Sequence, residues 1–367
     1  MPPVKAPISA EQKALSVMVP PSQVREGKQK TSKGGVMQIW ITRSCDKSCF
    51  GCTQGSNLAG KPMMMTPEQF DLACRSLKMT SKEPEYFGTI GVFGGNPATH
   101  PRFPEICEVL RSHFPKDKCG LWCNNPLNHG KIMRETFNPA RSNLNVHLDS
   151  VAYDRFRRDW PESRPFGLEN DSRHSPWSVA LKDMIDLQIT CPQCKGENTG
   201  ESVCKNCNGT GRVYNEDAGW KLISGCDINK QWSAMIGVFR NELRGWFCEI
   251  AGAQSMLHQH DLNYPDTGIP IVYANGRVNT NWWRMPMTSY AHQVRKHCHE
   301  CGIPLRGKGE LACADDTHGI EQTSKTHADI YNPKRPAREV QIVELQSQLG
   351  SPMNNVVRYL QNAKEFK

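Results

Sequence analysis

Nowhere among the 367 residues is there a run approaching the ~18 apolar residues that a helix needs to cross a bilayer. The first 35 residues also lack the apolar core of a secretory signal. These absences lead to the expectation of a cytoplasmic protein with no membrane partner. Apolar residues make up only 38% of the chain, so part of it is expected in loops, tails or metal-stapled modules. A strong charge excess is missing too. The formal net charge of +8 suits an acidic partner such as nucleic acid, and equally a solvated basic surface. No long internal repeat divides the chain.

What is abundant is cysteine. There are sixteen, and in a chain without an export signal they read as metal ligands rather than disulfides. Eleven of them fall into three spaced groups.

The chain between those groups alternates strand and helix signals. Residues 1–35, rich in proline and then basic, read as a flexible basic arm, with structure beginning at Val36. Residues 36–42 (VMQIWIT) form an apolar run suited to a buried parallel strand. Thr66-Pro67-Glu68-Gln69 resembles a capping box, and Phe70, Ala73, Cys74 and Leu77 follow at helical spacing. Residues 89–93 and 120–123 read as further strands, and 104–114 and 131–137 as helices. Residues 143–149 (NLNVHLD) alternate apolar and polar, which predicts a strand with one face on the helices and the other in a cleft. Residues 177–189 look helical, and Cys74 and Cys107 sit on helix core faces as buried thiols. The alternation predicts an α/β fold with a parallel sheet or barrel.

Cys45-Asp-Lys-Ser-Cys49-Phe-Gly-Cys52 follows the first strand directly. Three thiolates this close can hold three irons of a cubane cluster and leave a fourth iron open to a small molecule. Zinc sites usually come as paired Cys-x2-Cys knuckles, and bacterial ferredoxins use a run ending in Cys-Pro. In spacing and strand context the segment resembles the signature of the radical S-adenosylmethionine (radical SAM) superfamily. The resemblance covers about residues 36–250 as architecture. It implies a 4Fe-4S cluster on Cys45, Cys49 and Cys52, with S-adenosylmethionine bound through its amino and carboxylate groups on the open iron. It also implies a reductant partner such as a flavodoxin or ferredoxin. That family usually has an aromatic residue just before the third cysteine; here Gly51 stands there, and Phe50 is expected to take over the contact with the adenine.

Gly94-Gly95-Asn96-Pro97 ends the second strand and is similar to the family's Gly-Gly-Glu-Pro segment, which receives the methionyl amino group. Asn96 replaces the glutamate and is expected to accept through its side-chain carbonyl. By the same resemblance His147 and Asp149 would bind the ribose hydroxyls; read from the residues alone, they are equally a buried polar pair. Asn124 and Asn125 are further candidates for that pocket.

Cys191-Pro-Gln-Cys194 and Cys204-Lys-Asn-Cys207 are paired knuckles suited to one tetrahedral structural zinc. The stretch CKNCNGTGRV resembles the zinc units of J-domain chaperones over about twenty residues. Cys298, Cys301 and Cys313, with Cys248 as fourth ligand, form the third group, and Cys226 could replace one of them. This group is similar to the twitch or SPASM auxiliary-cluster modules, and either a second 4Fe-4S cluster or a zinc ribbon is expected there.

The expected fold is therefore α/β: a partial (β/α)6 TIM-like barrel of the radical SAM type over 36–250, with a zinc insertion at 190–212. An auxiliary module over 251–335 and a strand/helix tail over 336–367 would follow. The expected function is reductive cleavage of S-adenosylmethionine and hydrogen abstraction from a substrate. A nucleic-acid base is the first substrate candidate, on the basic balance, the basic arm and the zinc insertion. The alternatives are a peptide-maturing enzyme, suggested by the auxiliary cysteines, and a non-catalytic zinc or nucleic-acid-binding protein.

Overall fold

The computed structural model describes residues 7–24, 35–47, 52–56, 63–78, 86, 88–167, 180–197, 203–226, 228–229 and 234–308. Its strands are β1 (Val36–Thr42), β2 (Thr89–Gly94), β3 (Cys119–Leu121), β4 (Gln188–Thr190), β5 (Arg212–Tyr214), β6 (Met235–Phe239), β7 (Glu242–Trp246) and β8 (Ile269–Pro270). Its α-helices are α1 (Ala10–Val17), α2 (Pro67–Ser76), α3 (Phe103–His113), α4 (Gly130–Thr136), α5 (Ser150–Asp159), α6 (Glu216–Ser224), α7 (Glu249–Leu257) and α8 (Ala291–His297).

A six-stranded sheet runs in the order β3-β2-β1-β6-β7-β8. β1 pairs in parallel with both β2 and β6, and β2 with β3. All seven residues of β1 are buried, as expected of a central parallel strand covered on both faces. α2, α3, α4 and α5 pack against one another in chain order. α2 starts on the predicted capping box: Thr66 Oγ1 accepts from the Gln69 N–H, and Gln69 Oε1 accepts from the Thr66 N–H. Cys74 and Cys107 are fully buried in the core, as their helical positions predict.

The sheet is mixed rather than wholly parallel. β6 and β7 form an antiparallel hairpin joined by Arg240 and Asn241, both with positive φ (49° and 68°). That is the two-residue turn whose twist matches paired strands, and it makes an antiparallel neighbour where a crossover was expected. β8 then adds to β7. The segment beyond residue 250 therefore contributes a strand to the same sheet as β1.

Two further departures concern the chain's start and its fourth strand. Part of the expected flexible arm is structured. Ser9 caps α1 through a full capping box with Gln12, and Ala14, Leu15 and Met18 are buried. α1 packs on α6, and the Asn229 side chain exchanges two hydrogen bonds with the Val19 backbone. The expected strand over 143–149 is reduced to two isolated parallel bridges, Trp122 with Asn143 and Asn145 with Phe166. Leu144, Val146 and Leu148 are buried, so the alternation was read correctly. The strand cannot continue because His147 and Leu148 take left-handed φ values of 49° and 62°. They turn the chain into Asp149, whose carboxylate caps α5 by accepting from the Ala152 N–H at 3.0 Å.

The predicted helix over 177–189 is also not formed in its described part. Two 3-10 turns lead into β4, which pairs antiparallel with β5 as a small separate ribbon.

Candidate metal centres

Three cysteine sites emerge, of different kinds. The loop leaving β1 carries Cys45 and Cys52; Cys49 and Phe50, between them, lie outside the described residues. Cys45 Sγ faces two N–H donors, the Lys47 backbone and Asn124 Nδ2, each at 3.4 Å. Burial pushes the Cys45 thiol pKa up to about 12. Without a cation at the sulfur the thiol would stay protonated, and a coordinated metal removes that proton outright. Donors aimed at a half-buried sulfur suit a metal-bound thiolate. Arg43, buried at the end of β1, reaches both the Gly55 carbonyl and the Met256 carbonyl at the end of α7. Its guanidinium is pulled down to about 10, chiefly by burial.

Gly94 and Gly95 hold β2 against this loop. A Cβ on Gly95 would sit 2.4 Å from the Ser44 carbonyl oxygen and 2.8 Å from Cys45 Cβ. The glycines were expected to admit a ligand, and in the structure they admit the backbone of the cysteine loop itself. Pro97 opens a short 3-10 turn after Asn96. The Asn96 carboxamide is fully enclosed. Its Nδ2 donates to Asp46 Oδ1 (2.9 Å) and to the Asn125 carbonyl (3.0 Å). Its Oδ1 accepts from the Ala98 N–H (3.2 Å) and faces the Cys123 thiol (3.1 Å). The second Asp46 oxygen accepts from Asn125 Nδ2 at 3.2 Å. Strand-end amides thus tie the cysteine loop to β2 and β3.

Asp149 lies at the same end, where its Oδ2 accepts from Lys47 Nζ at 2.6 Å. Lys47 is buried, so this ion pair fixes the cysteine loop to the N-terminus of α5. The His147 backbone N–H donates to Asn145 Oδ1. His147 and Asp149 therefore do not share a strand face. Asp46, Lys47, Arg43 and Cys123 were not singled out from the sequence; the signal available was a charged pair inside the Cys-x3-Cys spacing.

The second site is the knuckle group held by the β4–β5 ribbon. The sulfurs of Cys191, Cys194, Cys204 and Cys207 all lie within 4.8 Å of one another. Cys191 and Cys204 are 3.9 Å apart, and Cys194 and Cys207 3.6 Å. A tetrahedral ion with ~2.3 Å bonds to sulfur needs sulfurs about this far apart. The Cys194 N–H, with help from the Asn206 amide, draws the Cys191 thiol down to about 6, which favours the thiolate a metal needs.

The third site gathers Cys226, Cys248, Cys298 and Cys301 around one apolar pocket, closed on one side by Met18 at the end of α1. Burial raises the thiol pKa values of Cys248, Cys298 and Cys301, and each is raised further by other cysteines of the group. Cys313 lies outside the described residues, and Cys226 occupies the fourth position in the described set. Among the described residues, the knuckle is the only group whose ligand atoms lie within 4.8 Å of one another. The Cys226 group is therefore more widely spaced. The two sites are in contact: Tyr214, at the end of β5, shares a 2.8 Å hydrogen bond with His299 Nδ1, inside the Cys298–Cys301 turn. Lys182 pairs with Glu300 beside it at 3.1 Å.

No described helix is long and apolar enough to cross a membrane. No family model and no curated protein matches the chain. Among solved structures the chain is similar to the crystal structure of BtrN in complex with AdoMet and 2-DOIA. The sequence identity is 12% and the TM-score 0.39, over 76% of this chain and 91% of that one.

Proposed function

We propose that this protein is a radical SAM enzyme, with its catalytic 4Fe-4S cluster on Cys45, Cys49 and Cys52. The observation that carries the reading is the Cys-x3-Cys-x2-Cys loop itself, leaving the end of a central parallel strand with two N–H donors directed at Cys45 Sγ. When bound, such a cluster supplies one-electron cleavage of S-adenosylmethionine to a 5′-deoxyadenosyl radical, which abstracts a substrate hydrogen.

The chain's own residues have separable roles in this reading. Gly94 and Gly95 let β2 close on the loop. Asp46, Asn96 and Asn125 hold its register. The Lys47–Asp149 pair anchors it to α5, and the Arg43 guanidinium bridges it to α7. Preorganised groups of this kind fix the ligand geometry.

The knuckle is assigned a structural zinc, because its four sulfurs match one tetrahedral ion and leave no open position. The Cys226, Cys248, Cys298 and Cys301 set is assigned a second iron–sulfur cluster. Its wider spacing and apolar enclosure support a polynuclear centre over a single zinc. A flavodoxin or ferredoxin would supply the electron. Nucleic acid, favoured by the basic balance, is the substrate class to test first, and peptides second.

The test is anaerobic reconstitution with iron and sulfide, metal counting, then addition of dithionite and S-adenosylmethionine. About eight irons and one zinc per chain with release of 5′-deoxyadenosine are expected. Iron-free protein with no 5′-deoxyadenosine would overturn the reading and leave a zinc-binding protein. Cys49→Ala should abolish cleavage while retaining zinc.

A further inference from the structure

The Asn96 carboxamide is committed to the cysteine loop rather than open to a cofactor. An asparagine side chain offers two N–H donors and one oxygen with two acceptor positions. Asp46 and the Asn125 carbonyl take both donors, the Ala98 N–H donates to the oxygen, and the Cys123 thiol, whose one proton also faces the Asn125 carbonyl, packs against it. Asn96 is also completely buried. A cationic amino group arriving at the open iron beside Cys45 would have to displace one of these contacts to use the Asn96 side chain.

The carboxylates of Asp46 and Asp149 already hold the cysteine loop in place. Asp46 accepts from Asn96 and Asn125, and Asp149 accepts from Lys47 and Ala152. Asn124, just beyond β3, is different. Its Nδ2 donates to Cys45 Sγ at 3.4 Å, while its Oδ1 is buried with no hydrogen-bond partner. Only 6% of the residue is exposed, so water does not readily satisfy that oxygen. A buried carbonyl left open on the very amide that touches a cluster sulfur is a ready acceptor for an ammonium. The amide's orientation follows from the chemistry, since a metal-bound thiolate accepts and the nitrogen must face it.

We infer that Asn124, rather than Asn96, receives the amino group of the S-adenosylmethionine bound at the Cys45 cluster, with its Nδ2 holding the Cys45 sulfur at the same time. This rests on the radical SAM reading of the Cys45 loop. Asn96 is then a positioning residue for the loop, and Asn124 a binding residue that joins cofactor to cluster.

The test is equilibrium binding to the reconstituted, unreduced holoenzyme, with iron and zinc counted in every variant. Two probes are used: S-adenosylmethionine and its analogue lacking the amino group. Asn124→Leu should weaken S-adenosylmethionine roughly tenfold or more, the loss expected for a hydrogen bond to a charged group. The same variant should weaken the deaminated analogue by less than about threefold, because that ligand has no ammonium to lose. Asn124→Asp keeps an acceptor oxygen but removes the donor to sulfur. It should retain discrimination between the two probes while shifting the electron paramagnetic resonance signal of the reduced cluster. Equal losses for both probes in the Leu variant, or none for either, would overturn the inference while leaving the enzyme reading intact. If the Leu variant does not load iron, the Asp variant decides: lost discrimination there also overturns it. Failure of the iron-loaded wild type to bind S-adenosylmethionine would overturn both.

Discussion

His100 shows how a single side chain can report on the fold. It is buried after β2, its Nε2 lies 2.9 Å from the Met65 carbonyl, and its Nδ1 accepts from the Arg102 N–H at 3.1 Å. One neutral tautomer meets both requirements: Nε2 carries the proton and donates, and Nδ1 is free to accept. Burial accordingly lowers its pKa from the ordinary value. A depressed folded-state pKa contributes stability that is present above the unfolded value of about 6.5 and is lost as the pH falls below it. His100→Gln should flatten the loss of urea stability between about pH 7 and pH 5. Parallel acid limbs in wild type and variant would show that another group drives it. Gly95 makes a second residue-scale prediction. A methyl group there meets backbone, which cannot yield as a flexible side chain would. Gly95→Ala should displace the cysteine loop and lower iron loading while leaving zinc near one per chain, as metal analysis would show. The spacing of the cysteines and the glycine pair at a strand end are visible in the sequence. Asp46 and Asn96 were not understood from it, because their hydrogen-bond partners are tens of residues away in sequence.

At the scale of elements, the signals that survived were local ones. α2 begins on its capping box and β1 is buried along its length, because both depend on neighbouring residues. The elements misread were those overridden by a local turn or hidden in an unpromising segment. Left-handed residues at His147 and Leu148 ended a strand whose alternation was correct. α1 was passed over amid prolines, although Ser9 and Gln12 carry the same capping signature as Thr66 and Gln69. Ser9→Ala should cost about 1 kcal/mol of stability in urea unfolding, the usual value of an N-cap. Because Met18, just beyond α1, lines the Cys226 pocket, deleting residues 1–19 should hasten air bleaching of the iron–sulfur cluster proposed there. Unchanged bleaching would mean that the strap does not shield it.

Across the whole molecule, α7 links two of the metal centres. It starts beside Cys248 and ends at the Met256 carbonyl, which meets Arg43 next to the cysteine loop. Nine residues at ~1.5 Å rise make it about 13 Å long. The Tyr214–His299 hydrogen bond joins the β4–β5 ribbon to the Cys298–Cys301 turn. Cys204→Ser should release zinc and unfold the ribbon while the six-stranded sheet persists, giving a separate low-temperature step in calorimetry. Tyr214→Phe should keep the zinc but perturb the spectrum of the second cluster. An unaltered spectrum would mean that the ribbon and the Cys298–Cys301 turn are independent.

By itself the sequence determined the cysteine spacing and the local elements: which segments are apolar and where α2 begins. These follow from periodicity and short-range spacing, which a linear chain displays directly. Only the tertiary structure decided that β6 and β7 join β1 as a hairpin extending the sheet and that Cys226 stands with Cys248, Cys298 and Cys301. It also decided that Asn96 is tied to the cysteine loop while Asn124 keeps an open oxygen. Each of these depends on contacts between residues far apart in the chain, and hydrogen-bond satisfaction is a property of the assembled neighbourhood rather than of any residue type.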